Sequence, residues 1–540
     1  MSVSRYSVLV LLFGVLWFAF LGYRQLITPD EGRYAEIARE MALSHDWVTP
    51  RLNGVKYFEK PPLQYWATAV AFRLLGDNEF SARLWPALMG LLSIVAVWLS
   101  SRYLWGRPIA DYAAMLSASM VWIVANSHFL SLDMGVSAYL SVALCAFLVA
   151  QHDQHYPRYG RKAMLVCWGS MGLAVLSKGL IGLVLPAAVI TLYILWQRDW
   201  RLIRRLHWLW GISLLLAITL PWFILVSWRN PEFAAFFFIH EHLQRFALPG
   251  HGRLGAWWYF VPILLLGTLP WTSLLLPALY RGWQRSCEHF QPQRLLWLWC
   301  TFIFLFFSQS SSKLPSYILP IFPALAMLMA VYVADLSTPQ WRRMIIYSAV
   351  IHGLLAVLLG YALTQHHDDL PVLSHRQFAY WLAAAVMVML LGLLTAYILA
   401  ARLRYSILSM SIAMLIAVQL AMLGHNSYAQ YLSGQQLARL IQPWLDADTE
   451  LYSVQYYDQS LPFYLKRTMT LVDYRDEFSL GIAHDSGHHW IDSAAFVQRW
   501  QQPRKAIAVM GRENYQQFNH LAHTILYQDN RRVVIRKTLP

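Results

Sequence analysis

Residues 134–151 read Met134-Gly135-Val136-Ser137-Ala138-Tyr139-Leu140-Ser141-Val142-Ala143-Leu144-Cys145-Ala146-Phe147-Leu148-Val149-Ala150-Gln151, without one charged side chain. A helix rises about 1.5 Å per residue, so such a run crosses most of a hydrocarbon layer about 30 Å thick. Comparable runs lie near 6–25, 83–105, 108–127, 163–178, 180–197, 207–227, 257–279, 294–310, 315–335, 344–363, 377–400 and 405–425, which predicts thirteen spans. The first run lacks a small-residue cleavage site and is expected to be a retained helix.

Composition agrees with a membrane protein. Hydrophobic residues make up 57% of the 540-residue chain and charged residues only 13%, against about 25% in an ordinary soluble domain. Aromatic residues are abundant (25 Trp, 29 Tyr, 26 Phe), as in proteins anchored at bilayer interfaces. An ordinary soluble enzyme, a disordered chain and a disulfide scaffold are excluded. Cys145, Cys167, Cys287 and Cys300 lack zinc-site spacing. The net charge of +14 would suggest nucleic acid in a soluble protein. Here the arginines sit in alternate connections: Arg102/Arg107, Arg158/Arg161/Lys162, Arg198/Arg201/Arg204/Arg205, Arg281/Arg285/Arg294, Arg342/Arg343 and Arg402/Arg404. That is the positive-inside pattern, and it leaves nothing for a nucleic acid to explain.

The opposite, outward side then holds loops 26–82 and 228–256 and a tail, 426–540. The tail is read as strands at Leu451–Val454, Met469–Val472, Ala506–Val509 and Ile525–Lys537, with helices near Gln459–Lys466, Ala494–Trp500 and Asn514–Leu521. The expected fold is mainly helical and polytopic, with a small C-terminal α/β domain. The division is 1–425 for the membrane part and 426–540 for the outer domain. Internal repeats, which many transporters carry, are not evident.

Few outward charges escape the topology rule. Thr28-Pro29-Asp30-Glu31 has the form of a helix start, with Thr28 as N-cap and Glu31 as its capping-box partner. Asp30 is not needed for capping, and an acid at the end of a span suggests function. Tyr34, Ile37, Ala38 and Met41 follow at amphipathic spacing, so this helix is expected on the membrane surface, with Arg33 beside Tyr34. Tyr57-Phe58-Glu59-Lys60-Pro61-Pro62 opens a second short helix, and a lysine at a helix start suits a phosphate. Snorkelling to water, or pairing with Glu59, explains Lys60 equally well. Asp133, Lys178 and Lys313 stand in otherwise apolar turns, where either a mutual ion pair or a substrate explains them. In His240-Glu241-His242-Leu243-Gln244-Arg245, a surface pair of Glu241 with Arg245 competes with a phosphate clamp, and two histidines make a weak zinc signal. His366-His367-Asp368-Asp369 and His484-Asp485 with His488-His489 read as solvated loops. Outward acids and cations at bilayer depth, without a nucleotide-cradling loop, point to chemistry on a phosphate-linked lipid.

Several of these stretches together carry a family resemblance. Thr28-Pro29-Asp30-Glu31-Gly32-Arg33-Tyr34-Ala35-Glu36, Asp46-Trp47-Val48-Thr49-Pro50, Tyr57–Pro62, Ser177-Lys178-Gly179, His240–Phe246 and Lys313-Leu314-Pro315-Ser316-Tyr317 resemble the bacterial 4-amino-4-deoxy-L-arabinose transferases of lipid A. The resemblance implies a GT-C glycosyltransferase in the bacterial inner membrane with a periplasmic active site. Its donor would be undecaprenyl phosphate-linked aminoarabinose and its acceptor a lipid A phosphate, a modification that confers polymyxin resistance. Asp30 and Asp133 are then expected as catalytic acids. Lys60, Arg245 and Tyr317 are expected to hold the carrier phosphate, with Arg33, Tyr34, Tyr57, Lys178 and Lys313 also in contact with substrate. Glu59 and His240 are similar to a pair that holds a divalent metal, zinc or magnesium. Two readings compete: a polyprenyl-phosphate transferase with another sugar or acceptor, like the protein mannosyltransferases, and a lipid transporter.

Overall fold

A computed structural model describes residues 3–152, 157–244, 255–284, 290–365, 372–484 and 489–538. Each of the thirteen apolar runs contains helix, but they are not all spans of equal standing. By length and composition, seven described helices suffice to cross a membrane, or nine if two bent pairs count as one span each. The thirteen-span count is therefore not reached by this measure. Val3–Phe18 and Ile181–Gln197 are only 16 and 17 residues long, and Pro157–Lys178 opens with Arg158, Arg161 and Lys162. The run 108–127 bends by 61° between Ser119 and Val121, and 257–279 by 106° between Gly267 and Thr272. Pro270 lies at the second corner, where it offers no N–H to continue the helical ladder.

Burial separates the centre of the bundle from its rim. In Leu132–His152 and Pro315–Ala334, 78% and 83% of the apolar window is buried, against 11% in Thr338–Thr364. The two central helices begin at the same face. Their first turns carry Asp133 and Tyr317, so these side chains start from the middle of the molecule.

The loop 26–82 is not a surface layer. Its helix Asp30–Ser44 is buried along most of its length, because the tail covers the side away from the membrane helices. Tyr34, Ile37 and Met41 join Tyr65, Tyr457, Phe463 and Phe478 in one core. Amphipathic spacing signalled an apolar contact, and the partner turned out to be protein. Gly32 shows how close the contact is: a Cβ there would lie 2.5 Å from the backbone of Ser460. The expected capping box is also absent. Pro29 occupies the N-cap position, and the Thr28 hydroxyl donates to the Leu432 carbonyl at 3.1 Å. Glu31 instead receives both Arg83 Nε and Nη2 at 2.7 Å, the Leu130 N–H at 3.0 Å and the Ile27 N–H at 3.1 Å. Burial favours its neutral form, but the Arg83 charge and bonds prevail and hold the carboxyl below its ordinary pKa.

In the tail, strands Trp490–Ile491, Thr470–Val472, Glu450–Val454 and Ala506–Gly511 lie parallel in that order. Arg532–Lys537 and then His523–Gln528 complete the sheet antiparallel. The single strand expected over Ile525–Lys537 is thus a hairpin. Asp529 turns it, accepting the N–H groups of Arg531 at 2.8 Å and Arg532 at 2.6 Å. The tail is fastened to the first loop through Asn53, whose side chain exchanges two hydrogen bonds with the Met469 backbone at 2.7 and 2.8 Å.

Beside this junction, Glu40 accepts the Gly54 N–H at 2.8 Å, while Arg39 is committed to Glu36 at 2.6 and 2.7 Å. Burial and the Glu36 charge push the Glu40 carboxyl up to about 8. The folded state therefore holds this proton more tightly than the unfolded chain. Stability from this group is complete below the ordinary glutamate pKa and declines as pH rises towards 8. Glu40→Gln is expected to flatten that decline, with a larger gain in melting temperature at pH 8 than at pH 5 in thermal unfolding.

Candidate active site

Eight of the expected site residues line one cavity of 490 Å³: Asp30, Arg33, Tyr34, Glu59, Lys60, Asp133, Lys178 and Tyr317. They arrive from separate parts of the chain. The helix Asp30–Ser44 supplies three, the turn before Leu63–Leu75 supplies Glu59 and Lys60, and the ends of membrane helices supply the rest. Below this polar rim the walls are apolar, formed by Val136, Leu140, Ile181, Val184, Leu185 and Phe306. A charged mouth above a greasy shaft fits a phosphate on a hydrocarbon chain.

Asp133 organises the inner wall. Lys178 Nζ donates to its Oδ1, and the Ser316 hydroxyl donates to its Oδ2 at 2.8 Å. The same ammonium lies 4.9 Å from the centre of the Tyr317 ring, which packs on Phe307 at 5.0 Å. The mutual ion pair, the alternative to a substrate role for Asp133, forms with Lys178, and both residues line the cavity. Lys60 donates to the Glu59 carbonyl at 2.8 Å, which holds the ammonium at the rim.

Arg33 connects the rim to the tail. Its guanidinium lies 3.4 Å from Asp30 and 2.6 Å from Glu477, which also accepts from Gln459 at 3.0 Å. Burial raises the Glu477 pKa, with Arg33 opposing. Tyr34 and Tyr57 are buried, which pushes both phenols well above their ordinary range and leaves them neutral donors. Among the described residues the buried Tyr57 hydroxyl has no hydrogen-bond partner, and its residue is not part of the cavity lining.

Lys313 departs from expectation. Its ammonium is bound by the Ser308 and Ser310 carbonyls, both at 2.7 Å, at the end of helix Pro292–Gln309, and it does not line the cavity. The unpaired carbonyls of a helix C-terminus attract a cation, which accounts for this lysine without a substrate. Arg245 and the His240 side chain lie outside the described residues, as do His366–Asp369, Asp485 and His488. The metal reading of Glu59 with His240 is therefore incomplete, and among the described residues no three His, Cys, Asp or Glu side chains gather as a ligand set.

Asp30, Ser131, Asp133, Leu314 and Ser316 also line a second, larger cavity of 970 Å³. It opens among the helices Thr338–Thr364, Val372–Ile398 and Leu403–His425, and Arg24, Asn126, His352 and His425 are among its few polar groups. The two acids thus stand where two lipid-compatible cavities meet. Sequence reasoning did not identify Ser316 or Glu477 as site residues. Ser316 sits within a quoted motif next to Tyr317, whereas Glu477 has no local signal in the tail.

The "Aminoarabinose transferase C-terminal domain" family matches residues 437–537, and the "Dolichyl-phosphate-mannose-protein mannosyltransferase" family matches 3–237. The undecaprenyl phosphate-alpha-4-amino-4-deoxy-L-arabinose arabinosyl transferase 2 of Pseudomonas fluorescens is 31% identical over 74% of this chain and 68% of its own length. The corresponding enzyme of Aeromonas salmonicida is 36% identical over 68% of each. The crystal structure of ArnT from Cupriavidus metallidurans bound to undecaprenyl phosphate superposes with a TM-score of 0.95 at 37% identity, covering 100% of this chain and 99% of the other. An oligosaccharyltransferase from Archaeoglobus fulgidus shares the fold alone, with a TM-score of 0.53 at 13% identity.

Proposed function

Because the chain belongs to the undecaprenyl phosphate-alpha-4-amino-4-deoxy-L-arabinose arabinosyl transferases, we infer that its two cavities hold the donor and acceptor of one sugar transfer. The protein is a multi-pass membrane glycosyltransferase that moves 4-amino-4-deoxy-L-arabinose from undecaprenyl phosphate to lipid A. Transfer to protein, as by mannosyltransferases, is not favoured, since the tail and the relatives belong to the aminoarabinose enzymes. In this reading residues 1–425 form the catalytic membrane part and 426–540 an outer domain. The membrane is the bacterial inner membrane, and the site faces the periplasm. The support is the alternation of arginine-rich connections, all on the side away from Asp30 and Lys60.

The observation that carries the mechanism is the shared wall of Asp30 and Asp133 between the two cavities. The smaller cavity takes the donor, with its prenyl chain along Val136, Leu140 and Ile181 and its phosphate among Lys60, Lys178, Arg33 and Tyr317. The larger takes the acceptor lipid. An acceptor phosphate oxygen attacks the anomeric carbon, a new C–O bond forms, and the bond to the carrier phosphate breaks with its electron pair left on that phosphate. Cations already in place stabilise the departing charge. The acceptor phosphate is anionic at neutral pH, so Asp30 orients the sugar or acceptor and need not remove a proton.

Lipid A from cells with and without the chain is expected to differ by the aminoarabinose-bearing species in mass spectrometry, and unchanged lipid A would overturn the reading. Lys60→Ala removes one charge-assisted hydrogen bond, about 1.5–3 kcal/mol. Binding of undecaprenyl phosphate to the purified protein is expected to weaken by about 10- to 100-fold.

A further inference from the structure

A third cavity, of 500 Å³, lies at the opposite end of the molecule. The helices Pro157–Lys178, Ile181–Gln197 and Trp208–Arg229 enclose it. The first ends at the active site with Lys178, so its start, and the connection 198–207 between the other two, lie on the far face. The lining is almost entirely apolar and includes Trp168, Trp200 and Trp208. The indole N–H groups of Trp168 and Trp208 donate to the carbonyls of Leu206 at 2.8 Å and Ile203 at 3.0 Å, and the two rings pack on each other with centroids 5.6 Å apart. Gly211 makes room for this: a Cβ there would lie 2.2 Å from Trp168. The volume is within the range of about 300–1,000 Å³ common to ligand sites.

The connection that roofs this cavity is amphipathic. Trp200, Ile203 and Leu206 line it, while Arg198, Arg201, Arg204 and Arg205 accompany a single acid, Asp199. Asp199 is occupied in accepting the Arg201 backbone N–H at 3.1 Å. Other arginines on this face are engaged by protein: Arg281 pairs with Asp335, and Arg404 with Asp111 at 3.0 Å. Among the described residues, none of the four arginines of 198–205 is in an ion pair, and Arg198, Arg201 and Arg204 are exposed. Topology alone explains arginines on this face, but not an apolar cavity directly beneath four of them with one acid in their midst.

We propose that this cavity and its arginine rim bind an anionic phospholipid of the leaflet opposite the active site, an acyl chain among the tryptophans and the phosphodiester on Arg198, Arg201, Arg204 and Arg205. Basic pockets between membrane helices recognise anionic head groups by charge, and the net charge of the rim disfavours a zwitterionic lipid in comparison. The site stands apart from the sugar-transfer reading, since it shares no residue with either active-site cavity.

The test uses the purified, delipidated full chain, titrated with phosphatidylglycerol or phosphatidylethanolamine, with bound lipid counted by native mass spectrometry. Phosphatidylglycerol is expected to bind at least about tenfold more tightly. Arg201→Gln with Arg204→Gln should bring it down to the phosphatidylethanolamine level, and Ala187→Phe, which fills the cavity, should weaken both lipids. Arg198→Gln with Arg205→Gln serves if the first pair fails to fold, and sugar transfer at the far face reports folding in each variant. Equal binding of the two lipids, unaltered binding in the folded variants, or competition by undecaprenyl phosphate for this site would overturn the proposal.

Discussion

Asp30→Asn is expected to reduce sugar transfer by about 10²- to 10³-fold while leaving undecaprenyl phosphate binding and thermal stability close to those of the native chain. The carboxylate lines both active-site cavities, so the change removes charge where donor and acceptor meet. Its structural cost is small. The Asp30 side chain is 39% exposed and lies 3.4 Å from Arg33, which keeps Glu477 as a carboxylate partner at 2.6 Å when Asp30 is changed. Asp133→Asn would be harder to interpret, because that carboxylate also holds Lys178 and Ser316. Rates measured with purified donor and lipid A, beside a binding titration with undecaprenyl phosphate, separate catalysis from carrier binding. A native rate in Asp30→Asn would remove this residue from the mechanism.

Arg83→Ala is expected to have the largest effect on stability. Glu31 and Arg83 have fully buried side chains and are joined by two 2.7 Å contacts, and the same guanidinium donates to the carbonyls of Leu21, Arg24 and Gln25. Removing the arginine leaves a buried carboxylate unpaired, a loss of about 3–5 kcal/mol. It also frees three carbonyls between the helices Val3–Phe18 and Asp30–Ser44. The paired change Glu31→Gln with Arg83→Met should lose less than Arg83→Ala, because no uncompensated charge remains. Thermal unfolding in detergent of the native chain and both variants would show this order; a stable Arg83→Ala protein would contradict it.

Glu31 also shows why part of the site was legible and part was not. The local pattern Thr28-Pro29-Asp30-Glu31 suggested a capping box that does not form, and the partner Glu31 does take, Arg83, lies 52 residues away. Helix capping is local and leaves a sequence signature; a buried ion pair across the fold leaves none. Asp30, Lys60, Asp133 and Lys178 stood out because a charge at membrane depth is costly and needs a reason. Lys313 stood out by the same logic, yet the carbonyls of its own helix end supply its reason. Glu477 was hidden because an acid in a soluble tail is ordinary until the tail folds back onto Arg33.

The chain's hydrophobic runs and arginine alternation by themselves determined a helical membrane protein with a C-terminal α/β tail, because the cost of exposing backbone and charge to hydrocarbon is felt residue by residue. Tertiary structure alone decided that the helix Asp30–Ser44 is buried under the tail, that two apolar runs are bent, and that Asp30 and Asp133 separate two cavities. Those outcomes depend on which distant surfaces meet, and contact energies between distant segments are not written in the spacing of either one.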